Sequence, residues 1–204
     1  MFMKHLKGFT LIESVIAIVI MGFAMLALTS FLFPQIERSA SVQYQTRAVT
    51  LGQSMLSQIL ARGFDHWSDF DGGTVRCGEP AAISNPLNPT NSCTGSGGLG
   101  VDTTGGITEA NPSSFNDVDD YIGCWAGANS SNCQAVTPEY DLTDILGADI
   151  SAQYNNFTVI VAATYVDPTS FTDTTSITTM KKITVQIQAG KWGDYRFFGY
   201  KGNY

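Results

Sequence analysis

Basic residues are scarce in the middle of this 204-residue chain. Between Asp65 and Asp173 there are fifteen acidic residues, and the only base is Arg76. The chain as a whole carries a net charge of −7. A strongly acidic body repels phosphate backbones. The charge distribution therefore argues against nucleic acid as the main partner.

Histidine is nearly absent, with only His5 and His66, and the usual catalytic motifs are missing. There is no G-x-S-x-G, no H-E-x-x-H and no P-loop from which a hydrolytic or metal-hydrolase site could be built. Gly95, Gly97 and Gly100 match G-x-G-x-x-G by spacing. That fingerprint requires a strand before it and a helix after it, and neither is predicted here. We expect no catalytic residues and no cofactor.

Charge is also missing from Phe9 to Phe33, where Glu13 is the single exception. A helix of these 25 residues is about 37 Å long, enough to cross a bilayer with some tilt. A secretory signal peptide has an apolar core of only about 7–15 residues, although Ser39–Ser41 could pass as its cleavage site. A plain membrane anchor leaves Glu13 unexplained. A carboxylate inside such a segment is a functional hypothesis by default.

The residues around the junction at Gly8 point to a family. A short basic head with Lys4 and Lys7 is followed by Gly8-Phe9-Thr10-Leu11-Ile12-Glu13 and then by the apolar run. This combination resembles the processing signal of type IV prepilins and of type II secretion pseudopilins. The resemblance implies cleavage after Gly8, N-methylation of Phe9 and an assembly role for Glu13. It implies two kinds of partner, a prepilin peptidase/N-methyltransferase and other pilins.

Further segments are similar to minor pilins of the mannose-sensitive haemagglutinin pilus. They are residues 48–54, 58–65, 76–78, 115–121 and 200–204. This resemblance implies a low-abundance filament subunit with no enzymatic activity, whose adhesion ligand the sequence does not reveal. Two other functions stay open: a pseudopilin, or a membrane-anchored periplasmic binding module that never polymerises. The positive-inside rule places Lys4 and Lys7 in the cytoplasm, so the protein should sit in the inner membrane with a periplasmic domain before it enters a surface pilus.

The predicted fold class is α+β and type IV pilin-like, with a long N-terminal helix packed on an antiparallel sheet and with disulfide-stapled loops. We divide the chain into a cleaved leader (1–8), a transmembrane or filament-core helix (9–34), an amphipathic half of the same helix (35–63), a loop-rich region (64–138) and a sheet region (139–204). An apolar stripe marks the amphipathic half: Ile36, Ala40, Tyr44, Ala48, Leu51, Met55 and Ile59. Pro34 should interrupt the helix, and Arg62-Gly63 should end it.

The last third of the chain carries the strand signals. Residues 157–166 are a continuous β-rich run suited to a central strand, and residues 182–189 alternate between apolar and polar. Residues 195–200 read as a last strand, and a short helix is weakly signalled at residues 139–146. Residues 65–138 are rich in turn formers and read as a long, mostly irregular surface connection in which short strands are also possible.

Four cysteines lie in the part that would be exported: Cys77, Cys93, Cys124 and Cys133. Disulfides are therefore the default expectation. Three connectivities exist, and the sequence does not select one of them. We favour Cys77–Cys93 with Cys124–Cys133, because each pair closes a short loop. The spacing does not fit a zinc site.

Two groups of acids could offer oxygen ligands to calcium: Asp69 with Asp71, and Asp117 with Asp119 and Asp120. A calcium loop of the EF-hand type starting at Asp69 would need Glu at its twelfth position, where Pro80 stands. We therefore predict turn-forming aspartates on a solvated loop, and no metal. For Trp67, Trp125 and Trp192, anchoring in the core or in loops is the expectation, ahead of ligand binding.

Overall fold

The computed structural model describes residues 10–68, 75–80, 87–88, 90–104, 107–128, 133–144 and 147–204. The chain forms two compact units, an N-terminal unit, Met1–Gln43, and a C-terminal unit, Tyr44–Tyr204. Helix α1 runs from Leu11 to Leu60 and contributes to both units. Finer divisions at residues 34, 63 and 138 stay a prediction.

From Leu11 to Phe33, α1 is predominantly apolar on every side. The large apolar side chains from Leu11 to Phe33 are between 48% and 83% exposed. The expected interruption at Pro34 is wrong, because the helix continues through this residue. Pro34 lacks only the N–H that would donate to the carbonyl of Ser30, and an otherwise regular helix tolerates one missing bond.

In the C-terminal unit, one face of α1 is buried against the sheet. Its buried residues are Ala48, Leu51, Gly52, Met55 and Ile59. From Tyr44 onward this is the predicted stripe, whereas Ile36, in the N-terminal unit, is 59% exposed. The helix ends at Leu60, and Gly63 then pairs with Asp117 in an isolated parallel bridge. The end of α1 is thereby joined to the acid-rich segment near residue 117.

Among the described residues, six strands form the main sheet. The strands of the chain are β1 (Thr103–Thr104), β2 (Ile107–Thr108), β3 (Gly123–Ala126), β4 (Glu139–Asp141), β5 (Phe157–Val166), β6 (Asp173–Thr174), β7 (Met180–Ala189) and β8 (Asp194–Gly202). The order in the sheet is β4-β3-β5-β7-β8, β6 pairs with β5, and β1 and β2 pair separately. A short 3₁₀ helix, Gly190–Trp192, links β7 to β8.

The sheet is mixed, so the prediction of an antiparallel sheet is wrong for one pair of strands. β3 and β4 run parallel, with Trp125 opposite Tyr140, while β3–β5, β5–β7 and β7–β8 are antiparallel. A parallel pair needs a crossover connection of about a dozen residues. Residues 127–138 supply that connection, and the disulfide between Cys124 and Cys133 links it to β3.

The three strongest strand predictions are confirmed, and the weak helix prediction is wrong. β5 has the predicted bounds and lies in the centre of the sheet; β7 and β8 contain the other two predicted strands. Residues 139–141 form β4 instead of a helix, and residues 145–146 lie outside the described part. Tyr140 stacks on Trp125 with 4.4 Å between ring centroids. This cross-strand contact outweighs a weak local helix propensity.

The loop-rich region contributes to the core, so its description as a surface connection is wrong. Phe115, Val118, Tyr121 and Trp125 are fully or almost fully buried. Trp125 also donates a hydrogen bond from its Nε1 to the carbonyl of Tyr121 (3.0 Å). Irregular backbone therefore carries large aromatic residues under the sheet, and this fixes the position of the neighbouring acids.

Gly127 is required where the chain leaves β3. Its amide donates to the carbonyl of Phe157 (2.9 Å), and an added Cβ would overlap the carbonyl oxygen of Tyr154. Since the obstacle is backbone, we expect Gly127→Ala to lower the free energy of unfolding by about 2 kcal/mol. Urea unfolding of the full chain in detergent measures this. Gly95→Ala is the matched control, because nothing lies within 4 Å of its Cβ position; equal losses in both variants would contradict the prediction.

Candidate functional site

The predicted assembly residues lie at the start of α1. Gly8 and Phe9 fall outside the described residues, so cleavage and methylation there stay predictions. Glu13 is exposed in the first turn of α1, where a carboxylate interacts favourably with the helix dipole. It is the single charged residue from Leu11 to Phe33. From Leu11 to Phe33, the exposed apolar helix therefore carries a single charged side chain, that of Glu13.

This helix is long and apolar enough to cross a membrane, and none of its most apolar stretch is buried within the protein. An exposed surface of this kind requires cover from lipid or from other apolar helices. The N-terminal unit therefore has the properties of a membrane anchor and of a helix-packing surface.

A buried ion cluster connects the end of α1, the acid-rich segment and the sheet. The Nζ of Lys181 lies 3.2 Å from Asp65 Oδ2 and 2.5 Å from Asp119 Oδ1, and it donates to the carbonyl of Phe64 (2.7 Å). Lys181, Asp65 and Asp119 have no exposed surface. Such pairs are stable only when their hydrogen bonds are satisfied. Asp65 also accepts from the amides of Trp67 and Thr94 and from the hydroxyl of Thr94, and Asp119 accepts from the amide of Gly100.

The protonation of Lys181 follows from its surroundings. Burial by itself lowers the pKa of Lys181, but the carboxylates of Asp119, Asp117 and Asp65 together raise the pKa above the ordinary value. The ring of Phe64 is 4.7 Å from the ammonium and adds a cation–π contact. Lys181 is therefore a permanent cation inside the C-terminal unit.

Sequence reasoning did not identify Lys181 as a site residue. The signal was present, because Ile183, Val185 and Ile187 define the buried face of β7 and alternation extends that face back to Lys181. A lysine on the apolar side of a strand predicts a buried counter-charge. Which acids supply it cannot be read from spacing.

Next to this ion cluster lies a second group, here called the acidic cluster: Asp102, Glu109, Asn116, Asp117 and Asp120. Carboxylate oxygens of Asp102, Asp117 and Asp120 lie within 4.8 Å of one another. His66 borders the cluster, with its Nδ1 3.6 Å from Asp102 Oδ2 and 3.7 Å from Glu109 Oε1. These residues could hold a cation.

Local backbone amides orient the two most buried acids. Asp117 Oδ1 accepts from the amides of Asp119 (2.9 Å) and Asp120 (3.3 Å). Asp120 Oδ2 accepts from the amides of Asn116 (2.8 Å) and Asp117 (3.0 Å). One oxygen of each carboxylate thus closes the turn, and the other oxygen is left for a different partner.

Burial and like charge make these carboxyl groups hard to ionise. Burial raises the pKa of Asp102 to about 6, against an opposing effect of His66. Burial and the charge of Asp120 raise the pKa of Glu109 to about 8. Burial, with Asp119 and Asp120 adding to it, also raises the pKa of Asp117 well above its usual range. These carboxyl groups therefore keep their protons to higher pH than ordinary carboxyl groups do.

Several predictions about these acids need correction. Asp69 and Asp71 lie outside the described residues. Asp117, Asp119 and Asp120 are fully buried, so the prediction of a solvated loop is wrong. The neighbouring residues Val118 and Tyr121 are packed in the core, and the segment that contains the acids is therefore buried with them. His66 is also not isolated, because two acids lie beside it.

The disulfides join Cys77 to Cys93 and Cys124 to Cys133, which is the favoured pairing. The tryptophans are structural, as expected: Trp67 packs beside the first disulfide, Trp125 lies in the core and Trp192 stacks on Tyr44 (5.5 Å). No helix follows Gly95–Gly100.

Comparison with known families identifies one match. The prokaryotic N-terminal methylation motif matches residues 3–29. No curated protein and no solved structure is significantly similar to the chain. The motif indicates a type IV pilin-like protein, a class processed by a prepilin peptidase and assembled with other pilins. The α+β fold, with a long apolar N-terminal helix and two disulfides, agrees with that class.

Proposed function

We propose that this protein is a minor structural subunit of a type IV pilus of the mannose-sensitive haemagglutinin type, similar to its D-type minor pilin. The observation that carries the proposal is the exposed apolar helix with Glu13 in its first turn, joined to a compact disulfide-bonded unit. Such a subunit assembles through its helix and initiates, caps or decorates the filament. Its role is structural and not enzymatic.

Processing precedes assembly in this proposal. A prepilin peptidase cleaves after Gly8 and methylates Phe9, which becomes the first residue of the mature chain. Before assembly, the protein spans the inner membrane once, with the N-terminus cytoplasmic and the C-terminal unit in the periplasm. The two disulfides fit an oxidising compartment of this kind.

Glu13 sets the register between subunits. After cleavage, the Phe9 amine is positive and lies four residues upstream of Glu13. A carboxylate at membrane depth is penalised unless it has a cationic partner. Within one helix the geometry for this pair is poor, whereas a neighbouring subunit displaced along the filament brings its own Phe9 amine to Glu13.

We expect Glu13→Val to leave cleavage and membrane insertion intact and to remove the protein from filaments. Sheared surface filaments and membranes are analysed by mass spectrometry, which also reports whether the chain begins at Phe9. Glu37→Val is the matched control, since Glu37 is exposed on the same helix beyond the apolar run. Wild-type incorporation of Glu13→Val would overturn the register role, and a mature start near Val42 would support an ordinary signal peptide.

Two other functions give different results in the same experiment. A pseudopilin has the same N-terminal motif, but its gene lies in a secretion locus and not in a pilus locus. A membrane-anchored binding module stays in the membrane fraction and never enters filaments. The motif at residues 3–29 fits the pilin and pseudopilin functions better than it fits the binding module.

A further inference from the structure

The oxygens of the acidic cluster are spaced as ligands of one cation are. Ca²⁺ binds oxygen ligands at about 2.3–2.6 Å, so two ligands of the same ion are at most about 5 Å apart. Asp102, Asp117 and Asp120 each place one carboxylate oxygen within 4.8 Å of the others. Asp102 also belongs to a second such group, with His66 and Glu109. Asp102 therefore joins the two groups.

Independent of spacing, these residues have buried oxygens without hydrogen-bond partners. The unpartnered atoms are Asp102 Oδ2, Glu109 Oε2, Asn116 Oδ1, Asp117 Oδ2 and Asp120 Oδ1. Asp117 and Asp120 have no exposed surface at all. A buried polar atom without a partner is rare and costly, and a carboxylate oxygen most of all. The five unpartnered oxygens of the acidic cluster therefore call for a positively charged ligand.

Among the described residues, no lysine or arginine lies at ion-pair distance from the acidic cluster, which His66 alone borders. Lys181 contacts Asp65 and Asp119, whose other hydrogen bonds come from backbone amides and from the hydroxyl of Thr94. It makes no hydrogen bond to the four acids of the acidic cluster. We propose that the acidic cluster is a calcium site, in which Asp102, Glu109, Asp117 and Asp120 ligate the ion and Asn116 supplies its side-chain oxygen.

The donor set favours calcium over other divalent cations. All five proposed ligands are side-chain oxygens of residues on irregular backbone. Ca²⁺ accepts six to eight oxygens in flexible geometry. Mg²⁺ requires a near-ideal octahedron and keeps several waters, and Zn²⁺ prefers nitrogen and sulfur.

Calcium would brace the most irregular part of the C-terminal unit. Asp102 and Glu109 flank the β1–β2 hairpin, whereas Asp117 and Asp120 lie in the segment that pairs with Gly63 after α1. One ion would tie these two segments together. This role concerns the folded unit and does not depend on filament assembly.

The test uses the full chain in detergent, stripped of metal with EDTA and titrated with CaCl₂ or MgCl₂. We expect saturating calcium to raise the thermal midpoint by roughly 5–10 °C, and magnesium to have much less effect. Glu109→Gln and Asp102→Asn should weaken calcium binding at least roughly tenfold. Asp141→Asn, at an exposed acid of β4, is the matched control and should bind calcium like the wild type.

The metal-free variants separate a calcium ligand from a merely structural acid. In EDTA, Glu109→Gln should melt like the wild type and Asp102→Asn at the same or a higher temperature, because each removes negative charge from a crowded cluster. Only the calcium-dependent shift should be lost. Absence of a calcium shift in the wild type, an equal shift with magnesium, or an unchanged shift in both variants would each overturn the proposal.

Discussion

Replacing Lys181 by methionine is expected to lower the free energy of unfolding by about 3–5 kcal/mol. The substitution leaves Asp65 and Asp119 fully buried with no cation, and methionine roughly preserves the volume of the side chain. Urea unfolding of the full chain in detergent, in EDTA so that metal does not contribute, measures the loss.

Lys182→Met is the matched control for this prediction. Lys182 is the next residue of β7 but faces the other side, and its ion pair with Asp173 is partly exposed. We expect its loss to cost less than about 1 kcal/mol. The double variant Lys181→Met/Asp119→Asn should recover part of the stability lost in Lys181→Met, because it removes one unpaired charge. Equal losses of unfolding free energy at positions 181 and 182 would show that the buried ion pairs of Lys181 stabilise the protein no more than the partly exposed pair of Lys182.

Removing the first disulfide with the paired substitution Cys77→Ser/Cys93→Ser is expected to cost about 3 kcal/mol. In the chain-entropy model the cost comes from the closed loop; here a second contribution follows from position. Thr94, next to Cys93, donates its amide to Asp65 (2.9 Å) and accepts from the hydroxyl of Tyr165 at its carbonyl (2.6 Å). The disulfide therefore also helps to position Thr94, whose amide donates to Asp65 of the Lys181 ion cluster.

The pair Cys124→Ser/Cys133→Ser is the comparison, because its shorter loop predicts about 2.5 kcal/mol. The described hydrogen bonds of Asp65 come from Trp67, Thr94 and Lys181, none of which is next to this disulfide. Combining each pair with Lys181→Met measures the coupling. We expect non-additive losses for Cys77/Cys93 and additive losses for Cys124/Cys133. Additivity in both cycles would mean that the first disulfide acts only through its loop.

Sequence patterns predicted the parts of the fold that repeat with a regular period. The stripe on α1 from Tyr44 onward and the strands β5, β7 and β8 follow from periods of 3.6 and 2. Lys181 also lies on a predictable face. Regular elements can be predicted because each residue's direction follows from its neighbours.

The acidic cluster could not be predicted in the same way. Asp102 and Glu109 come from a hairpin, Asp117 and Asp120 come from a turn, and no period relates the two segments. Their meeting depends on the bridge between Gly63 and Asp117 and on aromatic packing by Phe115 and Tyr121. The short strand β4 was not predicted for the same reason, because it forms only by pairing with β3.

The exposed apolar helix of the N-terminal unit has a thermodynamic consequence. Lipid chains and packed helices are similarly apolar, so in the proposed function moving Leu11–Phe33 from a bilayer into a filament gains little from the hydrophobic effect. The transfer is close to an exchange between two equivalent solvents. Its direction must then come from the one charged group in the segment, Glu13, from close packing, and from work supplied by an assembly machine. A filament built from such helices can therefore also return its subunits to the membrane at low free-energy cost.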